Sequence, residues 1–373
     1  MGTVQSYAPM SDRSPDIAIV GAGVIGLTTA WSLARAGLQV SVYERDPAPR
    51  QASWAGAGIL SPLVPWEYPP EVQQLALASQ GQYPALIESV SDLSGLPVEC
   101  RPVGMLLQGD EHVVPGLQWS QAHNVDATHL SAVDATTQFP GLGRKEGGIW
   151  LPEVMALRSP DWLAALLAAL PKLGVTLHLS SAVQQLIVEQ GRVTGLSVNG
   201  RPVTAGAVVV AAGCWSSTLI APWLSVDMLP VRGQMLAVQA GKEAPPAVLQ
   251  HEGCYLVPRQ DGLVLCGSSA EQAGFDCQVT DSVQQEIHQR AEAIWPALAG
   301  KPVVARWAGL RPATPDGLPC LGVVPGVSGL WLNTGHYRHG ITTAPASAEA
   351  LTREMTSAVG AFPALSPGRF FSG

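Results

Sequence analysis

The first residues whose types and spacing could support chemistry are glycines near the start of the chain. Residues 21–26 read G-A-G-V-I-G, between an apolar run at 16–20 and a segment of helical composition at 27–36. Glycines in this pattern permit a tight turn and let backbone N–H groups approach a pyrophosphate. Glu44 ends the next β-branched run, where a carboxylate can bind the hydroxyls of a ribose. The predicted dinucleotide site comprises Gly21, Ala22, Gly23, Val24, Ile25, Gly26 and Glu44.

The glycine pattern does not distinguish NAD from FAD. It occurs once, whereas an enzyme that passes electrons between a flavin and NAD(P) commonly has two such sites, so we expect one dinucleotide of either kind. Residues 51–59 (Q-A-S-W-A-G-A-G-I) are mostly small, and their backbone could follow an extended cofactor. The same composition is also typical of an ordinary Gly/Ala loop.

The overall composition indicates a compact protein that binds a small molecule. Of the 373 residues, 47% are hydrophobic and 13% charged, which is enough apolar surface for a large core. The net charge of -8 disfavours nucleic acid, because such binding requires neutralisation of phosphates. The six cysteines form no C-x-x-C pair, so no metal site is predicted, and we expect reduced cysteines in a cytoplasmic protein.

The elements around the glycine pattern predict an α/β fold with a parallel sheet. The run at 16–20, the helix at 27–36 and a second strand at 39–43 form one βαβ unit. Residues 207–212 (A-V-V-V-A-A) are typical of a strand that is buried on both faces, as in a parallel sheet covered by helices. The surrounding stretch 202–226 carries no charge, but Gly213, Ser216-Ser217 and Pro222 within it favour a strand, a turn and a short helix over a membrane span.

A second, α+β region is predicted from the middle of the chain. The pattern becomes irregular from about residue 79 to 153, where prolines separate short segments. Strands and turns alternate from 228 to 268, and a helix is predicted over 281–294. A further helix opens at the sequence S-P-D and runs over 159–170, since proline suits the first helical turn.

At several of these positions the chain resembles the glycine oxidase branch of the D-amino-acid-oxidase-like FAD family, which is sometimes linked to thiamine biosynthesis. The resemblance extends from residue 16 to about 355. It rests on the segments already named and on residues 230–234 and 255–259. Two blocks near the C-terminus carry it most specifically: 307–317 (W-A-G-L-R-P-A-T-P-D-G) and 335–341 (G-H-Y-R-H-G-I).

The resemblance implies non-covalently bound FAD in a Rossmann-like domain, beside an α+β substrate domain built on a mainly antiparallel sheet. It places the N-terminus of the last helix at the pyrimidine edge of the flavin, where the helix dipole favours negative charge. The further cofactor-binding residues that it implies are Arg45, Ser53, Ala55, Gly56, Gly58, Ile59, Val183, Ala211, Gly213, Trp215, Arg311, His336, Tyr337, Arg338, His339, Gly340 and Ile341.

The substrate residues implied by the resemblance are Arg311, Tyr255 and Arg338. A guanidinium can hold a carboxylate through paired hydrogen bonds, to which a tyrosine hydroxyl can add one more, while Arg338 would shape the inner pocket. The alternatives are an ion pair between Arg311 and Asp316 and a purely structural Tyr255. Ala270 stands where one glycine oxidase of the family carries a larger methionine, and His339 stands where asparagine is common. Both differences predict a wider pocket and substrates beyond glycine.

The activity implied is the oxidation of a small amino acid or amine by hydride transfer from Cα to flavin N5. Glycine, sarcosine, N-ethylglycine and D-alanine would give the 2-oxo acid and ammonia or an amine, and molecular oxygen would be reduced to hydrogen peroxide. Three alternatives remain at this point: a dehydrogenase that uses a quinone or protein acceptor, a flavin-binding protein without turnover, and an NAD-linked dehydrogenase.

The predicted organisation is a flexible tail at 1–14 and two domains, one of them discontinuous. We expect a homo-oligomer without a membrane span or a nucleic-acid partner. The FAD-binding domain is predicted over 15–78, 154–225 and 306–373, and the substrate-binding domain over 79–153 and 226–305.

Overall fold

The computed structural model describes residues 15–357, 360 and 362–371, so the predicted tail at 1–14 lies outside the described residues. The strands are β1 (Ile17–Val20), β2 (Val40–Tyr43), β3 (Cys100–Pro102), β4 (Met105–Gln108), β5 (Thr128–Leu130), β6 (Gly148–Leu151), β7 (Met155–Leu157), β8 (Thr176–His178), β9 (Val183–Glu189), β10 (Arg192–Val198), β11 (Arg201–Thr204), β12 (Ala207–Val210), β13 (Leu229–Gln239), β14 (Val248–His251), β15 (Cys254–Pro258), β16 (Leu263–Gly267), β17 (Val303–Ala313), β18 (Cys320–Val323) and β19 (Leu330–Thr334). The α-helices are α1 (Val24–Arg35), α2 (Ala52–Ala55), α3 (Pro70–Ser94), α4 (Val113–His123), α5 (Ala132–Gln138), α6 (Ser159–Ala169), α7 (Ser216–Ile220), α8 (Asp281–Ile294) and α9 (Gly340–Ser357).

A six-stranded sheet in the order β18-β19-β12-β1-β2-β8 forms the centre of one half of the molecule. Its strands run parallel except for β18, which is antiparallel to β19. The strands β1 and β2 are buried at every position, because helices cover one face and the three-stranded sheet β11-β10-β9 lies over the other. Leu27 and Leu33 of α1 pack on the helical side with Trp162 of α6 and Leu351 of α9.

The second half contains an eight-stranded sheet in the order β17-β13-β16-β15-β14-β4-β6-β5. Its pairs are antiparallel apart from β14 and β4. Ile287, Ala291 and Ile294 of α8 pack against one face of this sheet. The predicted fold class is confirmed: a parallel sheet with helices and a second, mainly antiparallel sheet.

Several local predictions can be compared directly with these elements. The helix predicted over 281–294 is α8. The one predicted over 159–170 is α6, which continues into a short 3-10 helix. The uncharged stretch 202–226 forms β11, β12, a turn and α7, as predicted. None of the helices in the described part of the chain is long and apolar enough to cross a membrane.

The region predicted to be irregular from residue 79 begins instead inside the long helix α3. Pro84 interrupts the sequence pattern there but lies within the helix, on its exposed side. A proline removes one backbone donor from a helix, and the freed carbonyl can be solvated where the helix faces water. The proline therefore does not end the element.

Candidate functional site

The three glycines of the 21–26 motif have different structural roles. Gly21 has a φ of 105°, and a Cβ there would lie 2.6 Å from the carbonyl oxygen of Ala211. A Cβ on Gly26 would lie 1.9 Å from the carbonyl oxygen of Gly21, so both positions require glycine for the packing of α1 on the sheet. At Gly23 a Cβ would meet only the Ser53 hydroxyl, at 3.1 Å. Gly23 therefore leaves the N-terminus of α1 open on its outer side.

Glu44 is fixed at the edge of the same turn by backbone hydrogen bonds. Its Oε2 accepts a hydrogen bond from the N–H of Ala22 at 2.8 Å, and its Oε1 accepts one from the N–H of Asp46 at 3.1 Å. The side chain is nearly buried, with 9% of the residue exposed. Each carboxylate oxygen keeps a lone pair for a further donor, which fits the ribose hydroxyls expected from the sequence.

A groove of about 500 Å³ runs from Glu44 past the N-terminus of α1 to the start of α9. Arg45 and Trp215 stack at the Glu44 end, where the guanidinium carbon lies 3.7 Å from the ring centroid. The predicted cofactor residues that line the groove are Gly21, Gly23, Val24, Ile25, Glu44, Arg45, Ser53, Gly56, Val183, Ala211, Gly213, Trp215, Arg311, His336, Tyr337, Arg338, Gly340 and Ile341. Ala22 and Gly26 lie behind this surface and shape the turn instead.

A buried hydrogen-bond network holds the turn between β19 and α9. Asn333 donates from Nδ2 to Thr29 Oγ1 at 3.0 Å, and its Oδ1 lies 2.8 Å from His336 Nε2. His336 Nδ1 lies 2.9 Å from the Thr343 hydroxyl. Burial lowers the pKa of His336 to about 3, with His339 contributing, so this imidazole is neutral. The network holds the turn that lines this end of the groove.

A smaller pocket of about 90 Å³ adjoins the groove, and Ala52, Gly56, Arg311, Arg338 and Ile341 line both cavities. The structure thereby brings together the three predicted substrate residues, Tyr255 from β15, Arg311 from β17 and Arg338 from the turn before α9. The other predicted cofactor residues line this pocket: Ala55, Gly58, Ile59 and His339.

Neither arginine of the pocket has an anionic partner among the residues that the structure describes. The guanidinium of Arg311 donates to the carbonyl of Ser269 at 3.0 Å and to the Ser268 hydroxyl at 2.7 Å. Asp316, the alternative partner for Arg311, pairs with Arg369 instead, at 2.6 Å. Within residues 15–357, 360 and 362–371, no carboxylate lies within ion-pair distance of Arg311 or Arg338. Burial lowers the pKa of Arg311, but a guanidinium stays charged at neutral pH.

The remaining polar groups of the pocket are neutral. Tyr255 is buried, and its hydroxyl lies 3.7 Å from the sulfur of Met235. Tyr68 meets His339 edge to face, with ring centroids 4.3 Å apart. Burial raises the pKa of Tyr68 although Arg338 lowers it, and burial beside Arg338 lowers the pKa of His339 to about 3. The pocket therefore presents two cations and uncharged hydrogen-bonding groups, which favours a small anionic ligand.

Comparison with known proteins agrees with these features. Residues 16–354 match the family described as FAD dependent oxidoreductase (DAO). The chain belongs to this family. It is 40% identical to a glycine oxidase of Pseudomonas aeruginosa over 350 residues, which cover 93% of this chain and 95% of that protein.

Solved structures of the family have the same fold. A glycine oxidase from Geobacillus kaustophilus superposes with a TM-score of 0.89 at 28% identity, over 95% of this chain and 98% of that one. An iminodiacetate oxidase from Chelativorans sp. BNC1 superposes with a TM-score of 0.84 at 26% identity, over 94% of this chain and 98% of that one. Membership of the family confirms the predicted cofactor, FAD, and the predicted enzyme class, an FAD-dependent oxidoreductase of amines and amino acids.

Several residues of the two cavities were not predicted from the sequence. Those at the carboxyl ends of β2, β12 and β19 could have been found, because ligands of parallel sheets bind at that edge. Tyr68, Ser268 and Met235 carry no local signal, since only the packing of distant segments brings them to the pocket. Ala270, one of the two residues from which a wider pocket was predicted, is exposed and lines neither cavity. Ser268 in the same loop does line the small pocket. The unpredicted residues of the groove include Val20, Tyr43, Ala182, Gln184, Ala212, Cys214, Thr218, Leu219, Leu310, Pro312, Asn333 and Thr334.

Proposed function

We propose that this protein is an oxidase of glycine and other small amino acids and amines, among them sarcosine, N-ethylglycine and D-alanine. The observation that carries this proposal is the small pocket, which adjoins the cofactor groove and holds two guanidiniums that form no ion pair with any described residue. The names of the relatives, glycine oxidase and iminodiacetate oxidase, support the same class of substrate. The products would be the 2-oxo acid, ammonia or an amine, and hydrogen peroxide.

The groove residues fit FAD as the occupant. The open side of Gly23 at the N-terminus of α1 suits a pyrophosphate, and the Glu44 carboxylate suits a ribose. The N-terminus of α9, at Gly340 and Ile341, lies where the groove meets the small pocket. We assign to this end the flavin, whose developing negative charge the helix dipole would favour. When bound, FAD would supply the hydride acceptor and the route for electrons to molecular oxygen.

The protein itself orients the substrate. Arg311 would hold the substrate carboxylate through charge-assisted hydrogen bonds, and the Tyr255 hydroxyl would add a further one. Arg338 lies on the side of the pocket that adjoins α9 and adds positive charge there. Holding one end of a small substrate at fixed donors restricts the orientations of its Cα–H bond, which lowers the entropic cost of reaching the reactive geometry.

Substrate protonation is expected to control the pH dependence, because no carboxylate is present among the described residues that line the small pocket. His339, with a pKa of about 3, and Tyr68, with a raised pKa, do not titrate near neutrality. Hydride leaves Cα only when the amine is neutral, so kcat/KM should fall as the pH falls below the amine pKa. We expect kcat/KM profiles for two substrates of different amine pKa to be displaced by that difference. A common inflection for both substrates would instead indicate an ionising group of the enzyme.

Anaerobic stopped-flow spectroscopy tests the proposed function. Mixing the purified FAD-loaded protein with glycine or sarcosine should bleach the oxidised flavin spectrum, and subsequent mixing with oxygen should restore it and release hydrogen peroxide. A flavin that stays oxidised with every small amino acid would contradict the proposal and favour a binding protein. Reduction by substrate with negligible reoxidation by oxygen would favour a dehydrogenase with another acceptor.

We also propose the division into an FAD-binding domain at 15–78, 154–225 and 306–373 and a substrate-binding domain at 79–153 and 226–305. All strands of the six-stranded sheet come from the first set of segments. The strands of the eight-stranded sheet come from the second set, except that β17 begins at Val303 and continues to Ala313, across the proposed boundary. The homo-oligomeric state and the cytoplasmic location stay predictions.

A further inference from the structure

The position of the Arg311 guanidinium depends on the loop that follows β16. The Ser268 hydroxyl and the Ser269 carbonyl of this loop accept hydrogen bonds from it, at 2.7 and 3.0 Å. On the other side the guanidinium lies across Gly233 of β13, where a Cβ would be only 2.2 Å from Nη2. The guanidinium is thus confined between β13 and the loop, and a shift of the loop would move it.

Glu271 ties this loop to β13. Its backbone and that of Arg232 exchange two N–H···O bonds, each 2.9 Å long. Its carboxylate accepts hydrogen bonds from Arg232 Nη2 at 2.7 Å, from the Ser269 hydroxyl at 2.5 Å and from Gln234 Nε2 at 3.0 Å. The Ser269 hydroxyl in turn accepts from the N–H of Gln234 at 2.8 Å. One carboxylate therefore joins the strand to the residue whose carbonyl holds Arg311.

The charge of Glu271 is maintained at neutral pH. Burial alone would raise the pKa of this carboxyl group, but the hydrogen bonds from Arg232, Ser269 and Gln234 outweigh that effect and hold the pKa below its ordinary value. Arg232 is itself buried, with 6% of its surface exposed, and also pairs with Asp276 at 2.7 Å. The two carboxylates share the same arginine, but only Glu271 also contacts Ser269.

We propose that Glu271 is a positioning residue for substrate binding. Through Ser269 it sets the place at which the Arg311 guanidinium meets the substrate carboxylate, although Glu271 lines neither of the two described cavities. This inference rests on the proposed function, because it takes the ligand of Arg311 to be the carboxylate of an amino acid. Glu271 then supports the substrate site without lining it, and the loop at 268–271 takes part in substrate binding.

The variants Glu271→Gln and Asp276→Asn separate this role from simple charge pairing. Each variant replaces one negatively charged partner of Arg232 by a neutral side chain of the same shape. Only Glu271→Gln also weakens the contact with Ser269. We expect Glu271→Gln to raise KM for glycine about tenfold with kcat changed less than about twofold, since a misplaced guanidinium binds the carboxylate less well. The FAD content should be unchanged. Asp276→Asn should leave KM within about twofold of the wild-type value.

Combining Glu271→Gln with Arg311→Ala gives a readout that a merely structural role would not change. If Glu271 acts through Arg311, adding Glu271→Gln to Arg311→Ala should lower kcat/KM no further, so the two effects are not additive. Additive effects would overturn the proposal, as would equal increases in KM for Glu271→Gln and Asp276→Asn. If Glu271→Gln does not fold, Ser269→Ala replaces it, and an unchanged KM in that variant overturns the proposal. A wild-type flavin that no small amino acid reduces would overturn the proposed function instead.

Discussion

Replacing Arg311 by alanine is expected to raise KM for glycine by about 100-fold while the purified protein keeps its FAD. Two charge-assisted hydrogen bonds to a carboxylate in a half-buried pocket contribute about 3 kcal/mol, which corresponds to roughly that factor. The guanidinium lies over Gly233 and beside Ser268, so its removal leaves a space at the pocket rather than a gap in the core. Steady-state kinetics with glycine and sarcosine measure KM, and the flavin-to-protein absorbance ratio measures the FAD content.

Arg306→Ala is a matched control for Arg311→Ala, because both arginines lie on β17. Arg306 of β17 has a side chain that is 50% exposed, pairs with Asp281 at 3.6 Å and lines neither cavity. Arg306→Ala should therefore leave KM near the wild-type value, because exposed ion pairs contribute little. Arg311→Lys should fall between wild type and Arg311→Ala, since an ammonium keeps the charge but loses the planar fork. A wild-type KM in Arg311→Ala would remove this residue from the substrate site.

Replacing Gly23 by valine is expected to impair the retention of FAD without unfolding the protein. A Cβ at this position meets only the Ser53 hydroxyl, at 3.1 Å, which is a small displacement for the folded chain. The branched side chain would occupy the space at the N-terminus of α1 where the backbone meets the pyrophosphate. The affinity for FAD should fall by at least about tenfold, the equivalent of ~1.4 kcal/mol.

The flavin content after purification and the far-ultraviolet circular dichroism spectrum test this prediction together. Gly81→Ala is the control, because Gly81 lies in α3 where an added Cβ would meet open space, and this variant should keep both FAD and fold. Gly26→Ala offers a contrast: its Cβ would lie 1.9 Å from the backbone of Gly21, so loss of the fold itself is expected. Stoichiometric FAD in Gly23→Val would place the pyrophosphate elsewhere.

The first βαβ unit could be predicted because its signals are local. The glycine pattern, the apolar runs on either side and Glu44 lie within one continuous segment, and each acts on neighbours along the chain. The structure shows β1, α1 and β2 there, with Glu44 hydrogen-bonded to the turn. The helix α3 was not predicted, because Pro84 is a strong local signal and its tolerance depends on which side of the helix faces water.

The substrate pocket depended on contacts between distant parts of the chain. The sequence by itself predicted the dinucleotide turn and, by resemblance, Tyr255, Arg311 and Arg338 as substrate residues. Only the tertiary structure showed that Arg311 has no acidic partner among the described residues, that Tyr68 lines the pocket and that Glu271 contacts the loop that holds the guanidinium. The physical reason is that strand order and loop packing, rather than any spacing along the chain, bring these residues within hydrogen-bonding distance.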